Sequence, residues 1–171
     1  MKNSRWLLAV MAVGVGVAAV GCGDSAGLHA EGSVALVVHQ SGQPDGSASF
    51  TLPANTFIDA PPGVGRGFYG TCARSGNRWT VEINRADASA QDGLKRVAIS
   101  VPERSASGAV NASFVIGSST FAGSSECTAT ATPATGKGVQ IMMSCTGIRS
   151  GADPRTVDAT VSLLMSDCAL D

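Results

Sequence analysis

Hydrophobic and polar residues alternate over short stretches through most of the chain, the pattern of strands with one buried and one solvated face. The clearest example is residues 79–83, where Trp79, Val81 and Ile83 alternate with Thr80 and Glu82. The apolar spacing of a long helix is not sustained after residue 23, and residues 86–92 predict one helical turn at most. Strands are predicted at residues 32–38, 48–52, 69–73, 78–84, 94–101, 110–116, 127–131, 139–145 and 156–165.

These strands predict an all-β fold for residues 32–171, namely one domain built as an antiparallel β-sandwich of about eight short strands with little helix. The chain has 171 residues, which is enough for one domain with a substantial core. Glycine, serine, threonine, alanine and valine dominate the sequence after residue 23, a composition typical of an extracellular β-module.

Residues 53–67 predict a long loop that contains three prolines. Apolar side chains lie within or beside this loop, at Phe57, Ile58, Phe68 and Tyr69. Two interpretations are open: these side chains form a contact surface for a partner, or the loop folds down and seals one end of the sandwich. Sealing is favoured because soluble domains rarely leave such apolar patches bare.

The four cysteines after residue 23 predict disulfides, because their number is even and the chain is an exported one. They are Cys72, Cys127, Cys145 and Cys168. Closing the turn at residues 134–138 symmetrically pairs Ala131 with Ile141, and it places Cys127 opposite Cys145 on the same face. Directly opposed antiparallel residues have Cα atoms about 4.5–5.5 Å apart, a distance that a disulfide bridges. The sequence therefore predicts a Cys127–Cys145 disulfide.

The last predicted strand indicates a partner for the remaining cysteines. If residues 156–165 run back beside residues 139–145, Cys168 lies near the turn at Gly136, roughly 20 Å from Cys127. Cys168 is then expected to pair with Cys72. A zinc site is poorly supported, because the chain has no Cys-x-x-Cys pair and both histidines lie far from the cysteines in sequence.

The first 22 residues have the layout of a secretory signal. Lys2 and Arg5 precede an uncharged run over residues 6–20, and Ala19-Val20-Gly21 leads to Cys22. Residues 19–22 resemble the lipobox of bacterial lipoproteins, in which a peptidase cuts before the cysteine and the cysteine is acylated. This resemblance implies a signal peptide at residues 1–21, a lipidated N-terminus at Cys22 and a tether at residues 22–31. An uncleaved anchor and plain secretion remain the alternatives, since residues 6–23 are at the short limit for a bilayer span.

Charge and motifs argue against nucleic-acid binding and catalysis. Loss of Lys2 and Arg5 with the leader reduces the 12 basic side chains to 10 against 13 acidic ones, a net charge of −3, which offers no basic surface for nucleic acid. Neither a G-x-S-x-G elbow nor an S-x-x-K motif is present. Residues 65–70 satisfy G-x-G-x-x-G, but a dinucleotide site needs a strand before this motif and a helix after it. We therefore expect no enzyme, no cofactor and no metal site.

A broader resemblance covers residues 69–168. It is carried by the lipobox cysteine Cys22, by Gly70-Thr71-Cys72 ahead of the strand at residues 79–84, and by the block from residue 146 through Asp153-Pro154 to Cys168. These features resemble the LpqH-type surface lipoprotein antigens of mycobacteria. The resemblance implies a β-rich fold, pairing of Cys72 with Cys168, and a lipid-anchored surface role without enzymatic activity. The cysteines at positions 127 and 145 are not part of the family pattern, and residues 32–67 replace its low-complexity linker with predicted strands.

The sequence thus predicts a protein of the bacterial cell envelope that is held to a membrane by its N-terminal lipid and faces the periplasm or the exterior. Its expected role is non-enzymatic contact with a protein, a glycan or another envelope component. The alternative is a carrier that holds an apolar ligand between its sheets, in a closed cavity lined by Phe50, Phe57, Phe114 and Phe121.

Overall fold

The computed structural model describes residues 27–59, 67–86, 93–103 and 110–170, and in these residues the chain forms strands and no helix. The prediction of an all-β fold is confirmed. Cys22, the predicted signal peptide at residues 1–21 and most of the predicted helical turn at residues 86–92 lie outside the described residues. The strands are β1 (His29–His39), β2 (Gly46–Phe57), β3 (Phe68–Ser75), β4 (Arg78–Arg85), β5 (Leu94–Pro102), β6 (Asn111–Ile116), β7 (Ser119–Gly123), β8 (Cys127–Pro133), β9 (Val139–Arg149), β10 (Thr156–Ser166) and β11 (Ala169–Leu170).

The strands form a single, strongly curled sheet with the form of a half-barrel, in the order β11-β3-β4-β5-β6-β7-β9-β10-β1-β2, with β8 paired to β9. Neighbouring strands are antiparallel except β11 and β3, which are parallel. This architecture differs from the expected sandwich of about eight strands. The cause is β7, which no predicted strand covered: it pairs with β6 and also meets β9 at Ala122 and Arg149, so the two halves share one hydrogen-bonded sheet.

The first and last parts of the strand order approach each other beyond the end of β2. The Asp59 N–H donates to the Phe68 carbonyl at 3.1 Å, and the Gly70 N–H donates to the Asp59 carbonyl at 2.9 Å. Residues just past β2 therefore bond to β3 and draw the curled sheet together.

The expected loop at residues 53–67 is partly strand, because β2 continues to Phe57. Its pairing with β1 places Leu52 opposite Gly32 and Thr56 opposite Ala30, so residues 53–55 of β2 face Glu31 alone, and the two extra residues form a bulge. Asn55 in this bulge has a φ of 60°, a conformation that asparagine tolerates better than most residues. Pro53 and the bulge break the alternation, which explains why the sequence pattern predicted a loop here.

The inner face of the half-barrel is the hydrophobic core, formed by the inward-facing members of the alternating pattern. Trp79, Phe114 and Phe121 are among its largest fully buried side chains. Phe114 and Phe121 lie directly opposite each other on β6 and β7.

Two disulfides crosslink the sheet, and they are the two that the sequence predicted: Cys127–Cys145, between the paired strands β8 and β9, and Cys72–Cys168, between β3 and the residue before β11. The register of β8 on β9 matches the symmetric closure of the turn, with Ala131 opposite Ile141. The Cys168 N–H donates to the Lys137 carbonyl at 3.0 Å, so the end of the chain lies beside the turn that follows β8, as the sequence predicted. The disulfide then places β11 against β3.

The sheet begins earlier than predicted. β1 starts at His29, so residues 29–31 of the expected tether at 22–31 pair with β10 and belong to the domain. Within the part of the chain that the structure describes, there is no helix of the length and apolarity needed to cross a bilayer.

Candidate binding surface

Most of the outward side chains in the middle of five neighbouring strands carry a hydroxyl. Register fixes two rows across β8, β9, β10, β1 and β2, each with one residue per strand. The first row runs Thr130, Met142, Ser162, Ser33, Thr51, and the second runs Thr128, Ser144, Thr160, Ala35, Ser49. We call these ten residues the hydroxyl face. Eight of the ten carry a hydroxyl, and none carries a charge or an aromatic ring.

Strand geometry sets the spacing of this surface. Neighbouring strands lie about 4.8 Å apart and alternate residues along a strand lie about 6.6 Å apart, so each row spans about 19 Å. All the members are exposed except Ser162, which is partly buried. Side chains of Ser and Thr are short, so their positions are set closely by the backbone. The result is a regular array of groups that both donate and accept hydrogen bonds.

A shallow groove of about 420 Å³ crosses one side of the hydroxyl face. Thr128, Thr130, Ser144 and Thr160 line it with hydroxyls, and Met142 contributes an apolar side chain that is 46% exposed. Met142 is one of the few large apolar side chains exposed among the described residues. The groove therefore combines hydrogen-bonding groups with one adaptable apolar contact.

Charged groups lie at the edge of the hydroxyl face and form a second cluster around His39. The Nδ1 atom of His39 lies 2.9 Å from an Asp45 carboxylate oxygen, and its Nε2 atom lies 3.1 Å from one of Asp158. The hydrogen bond with Asp45, followed by that with Asp158, raises the pKa of His39. Asp158 also accepts the backbone N–H of Gly147 at 2.7 Å, and this bond is the main reason that the pKa of Asp158 is lowered.

The His39 cluster is better suited to holding strands together than to catalysis. Both ring nitrogens already contact carboxylates, so neither is free to take a proton from a substrate. Asp45 lies in the turn between β1 and β2, and Asp158 lies where the pairing of β10 with β9 shifts register. His39 therefore links the β1–β2 turn to an irregular part of the β9–β10 pair.

A third polar cluster fixes the loop between β9 and β10. Arg155 donates from Nε to both carboxylate oxygens of Asp153, at 2.9 and 3.0 Å, and Ser119 donates to the same carboxylate. The hydrogen bond from the Arg155 guanidinium, with a smaller contribution from Ser119, holds the pKa of the Asp153 carboxyl well below its usual value, although burial acts to raise it. The Arg155 guanidinium also lies over the Phe121 ring, 5.8 Å from its centroid. This arrangement joins the loop to the start of β7.

The four apolar residues predicted at the contact loop occupy different environments. Ile58 is buried, and Phe68 is partly buried with its ring 5.3 Å from that of Phe50. Tyr69 is partly buried in β3, opposite Asn84. Phe57 is 53% exposed, at the end of β2. The four residues therefore do not form one exposed patch.

The residues named for the carrier hypothesis are likewise separated. Phe50, Phe114 and Phe121 belong to the packed core, whereas Phe57 lies outside it. In the G-x-G-x-x-G segment, residues 65 and 66 lie outside the described residues, and Gly70 lies within β3. Among the described residues, no group of three or more His, Cys, Asp and Glu side chains is placed to hold a metal ion.

Sequence reasoning did not identify the hydroxyl face. Part of the signal was visible in the Thr-Ala alternation over residues 128–132, but the rows require the order of strands that are distant in sequence. Comparison with known proteins adds no assignment, because no family model, curated protein or solved structure matches this chain.

Proposed function

We propose that this protein is a lipid-anchored protein of the bacterial cell envelope that acts by binding, and that its hydroxyl face binds an uncharged, hydroxyl-rich glycan. The lipobox-like residues before Cys22 support the anchor. Two buried disulfides support export to an oxidising compartment. The observation that carries the binding role is the pair of five-residue rows on the outer side of the sheet.

The chemistry of the hydroxyl face favours a glycan. A glycan presents repeated hydroxyls that can each donate and accept, and the face offers complementary groups at regular spacing. Short Ser and Thr side chains lose less rotamer freedom on binding than Lys or Gln would. An uncharged surface also makes binding insensitive to salt, because no ion pairs are screened.

A protein partner fits this surface less well. The centres of protein interfaces are enriched in Tyr, Trp, Phe, Met and Arg and depleted in Ser. The hydroxyl face contains Met142 but no aromatic residue and no arginine, and four of its ten members are serines. The carrier alternative is disfavoured because three of its four phenylalanines are packed in the core.

Co-sedimentation of the mature protein with an insoluble neutral polysaccharide tests this proposal. Ser33→Lys places a long charged side chain in the middle strands of the hydroxyl face. Thr71→Lys is the matched control, because Thr71 is also exposed on a strand but lies on β3, in the other half of the sheet. Wild type and Thr71→Lys should bind equally at low and high salt, and Ser33→Lys should bind at least about tenfold more weakly, a change of about 1.4 kcal/mol.

Two results would contradict the glycan assignment. One is unchanged binding by Ser33→Lys, which would place the binding surface elsewhere. The other is binding that disappears at high salt in wild type, since this would show that charged groups, absent from the hydroxyl face, carry the interaction.

A further inference from the structure

An exposed phenylalanine lies where the chain enters the sheet. Phe57 is 53% exposed, the highest value among the large hydrophobic side chains that the structure describes. β-sheet register places it directly opposite His29, the first residue of β1. The Phe57 ring meets the His29 ring edge-on, with centroids 5.6 Å apart.

Further apolar side chains lie at the same end of the sheet. His29 is also paired with Ser166, near the end of β10, so the start of β1 and the ends of β2 and β10 lie side by side. Leu164 on β10 is 36% exposed, and Leu28 is partly buried against the core. We call Leu28, Phe57 and Leu164 the apolar end.

The incoming chain runs against this surface. A Cβ atom built on Gly27 would collide with the ring of Phe57, so the backbone at Gly27 passes directly over the ring. Five residue steps separate Gly27 from Cys22, and an extended chain of that length spans at most about 18 Å. A lipid on Cys22 would therefore hold the apolar end within about 18 Å of the bilayer surface.

We propose that the apolar end rests in the interface of the bilayer that receives the Cys22 lipid, with Phe57 as the side chain that enters it. This inference rests on the proposed lipid anchor. Because the lipid already holds the protein at the bilayer, contact of the apolar end with the membrane is an intramolecular event with an effective concentration in the millimolar range. A weak affinity of one aromatic ring for the interface is then enough to favour one orientation of the domain. The apolar faces of amphipathic helices that lie at a bilayer interface are buried roughly 5–10 Å into the boundary between headgroups and acyl chains, and a similar depth is expected for Phe57.

Charge at this end favours apolar insertion over electrostatic adsorption. Glu31 lies two residues after His29 on β1, and the Asp167 carboxylate lies 4.0 Å from the His29 ring. These carboxylates would not be attracted to anionic lipids, so contact must come from the apolar side chains. The strands then stand away from the bilayer, and the hydroxyl face extends along their outer side.

Tryptophan quenching by brominated lipid tests the orientation. The acylated mature protein, as processed in the membrane, is reconstituted into zwitterionic phosphatidylcholine vesicles that carry bromines near the headgroup end of the acyl chains. Phe57→Trp is compared with Val37→Trp. Val37 is 42% exposed on β1, eight residues from His29 and so about 26 Å along the strand from the apolar end. The buried Trp79 is common to both variants and provides the background signal.

We expect the tryptophan fluorescence of Phe57→Trp to be quenched at least twofold more strongly than that of Val37→Trp, at low and high salt alike. Equal quenching of the two variants, or none beyond the Trp79 background, would overturn it. The intact mass of the same samples distinguishes a failure of the proposed orientation from a failure of the proposed lipid anchor. Acylated protein that shows no preferential quenching refutes the orientation and leaves the anchor in place, whereas protein without acyl mass refutes both.

Discussion

The Cys72–Cys168 disulfide should stabilise the domain more than the Cys127–Cys145 disulfide does. All four sulfurs belong to buried residues, at most 5% exposed, so the two pairs differ mainly in the length of chain that each closes. Cys72 and Cys168 are 96 residues apart in sequence, against 18 for the other pair. A longer closed loop removes more conformational freedom from the unfolded chain.

The chain-entropy relation gives the expected magnitudes. Replacing Cys72 and Cys168 by alanine should lower the free energy of unfolding by about 4.7 kcal/mol, and replacing Cys127 and Cys145 should lower it by about 3.2 kcal/mol. The first change should also loosen β11, because only Ala169 and Leu170 pair with β3 beyond the disulfide. Their amide protons should then exchange at rates close to those of an unfolded chain.

Urea unfolding of residues 22–171 measures both losses, with fluorescence from Trp79 as the signal. Trp79 is 2% exposed, and the only other tryptophan, Trp6, precedes residue 22 and is absent from this fragment. The free energies are compared at zero urea, because removing a crosslink expands the unfolded state and so increases the slope of the unfolding free energy against urea concentration. Equal losses from the two pairs, or a larger loss from the Cys127–Cys145 pair, would refute the reasoning.

Two further predictions concern single residues. The raised pKa of His39 means that its protonated form stabilises the fold below the ordinary value of 6.5, and that this contribution is lost as pH rises through the raised value. Urea titrations at pH values from below 6.5 upward should show that the free energy of unfolding of the wild type declines as His39 loses its proton, and that His39→Gln removes this decline. A decline of the same size in the variant would exclude His39 as its source. Gly70→Ala should destabilise by about 1–3 kcal/mol, because a Cβ there would collide with the backbone carbonyl of Glu82. Gly46→Ala, which has room for a Cβ, should change the free energy of unfolding by less than about 1 kcal/mol, and equal thermal shifts for the two glycine variants would contradict the packing argument.

Local pairing could be predicted where the sequence carried a clear alternation and a short turn. The β8–β9 register follows from two alternating segments around residues 134–138, and that register alone placed Cys127 opposite Cys145. The position of Cys168 beside the same turn then followed from the length of β10.

Features that depend on distant strands could not be predicted. β7 is five residues long, with Phe121 as its one large apolar side chain, and alternation over so few residues gives little signal. The bonds from Asp59 to β3 depend on the curl of the whole sheet. The hydroxyl face requires β1 to lie beside β10, so Ser33 meets Ser162 across more than half of the chain.

The intact mass of the protein extracted with detergent from bacterial membranes tests the anchored-binding account most directly. The account predicts a chain that begins at Cys22 and carries the added mass of a diacylglyceryl group, with or without an amide-linked acyl chain. It also predicts that both disulfides remain closed. A chain that begins at Met1, or one that begins at Cys22 without acyl mass, would contradict it.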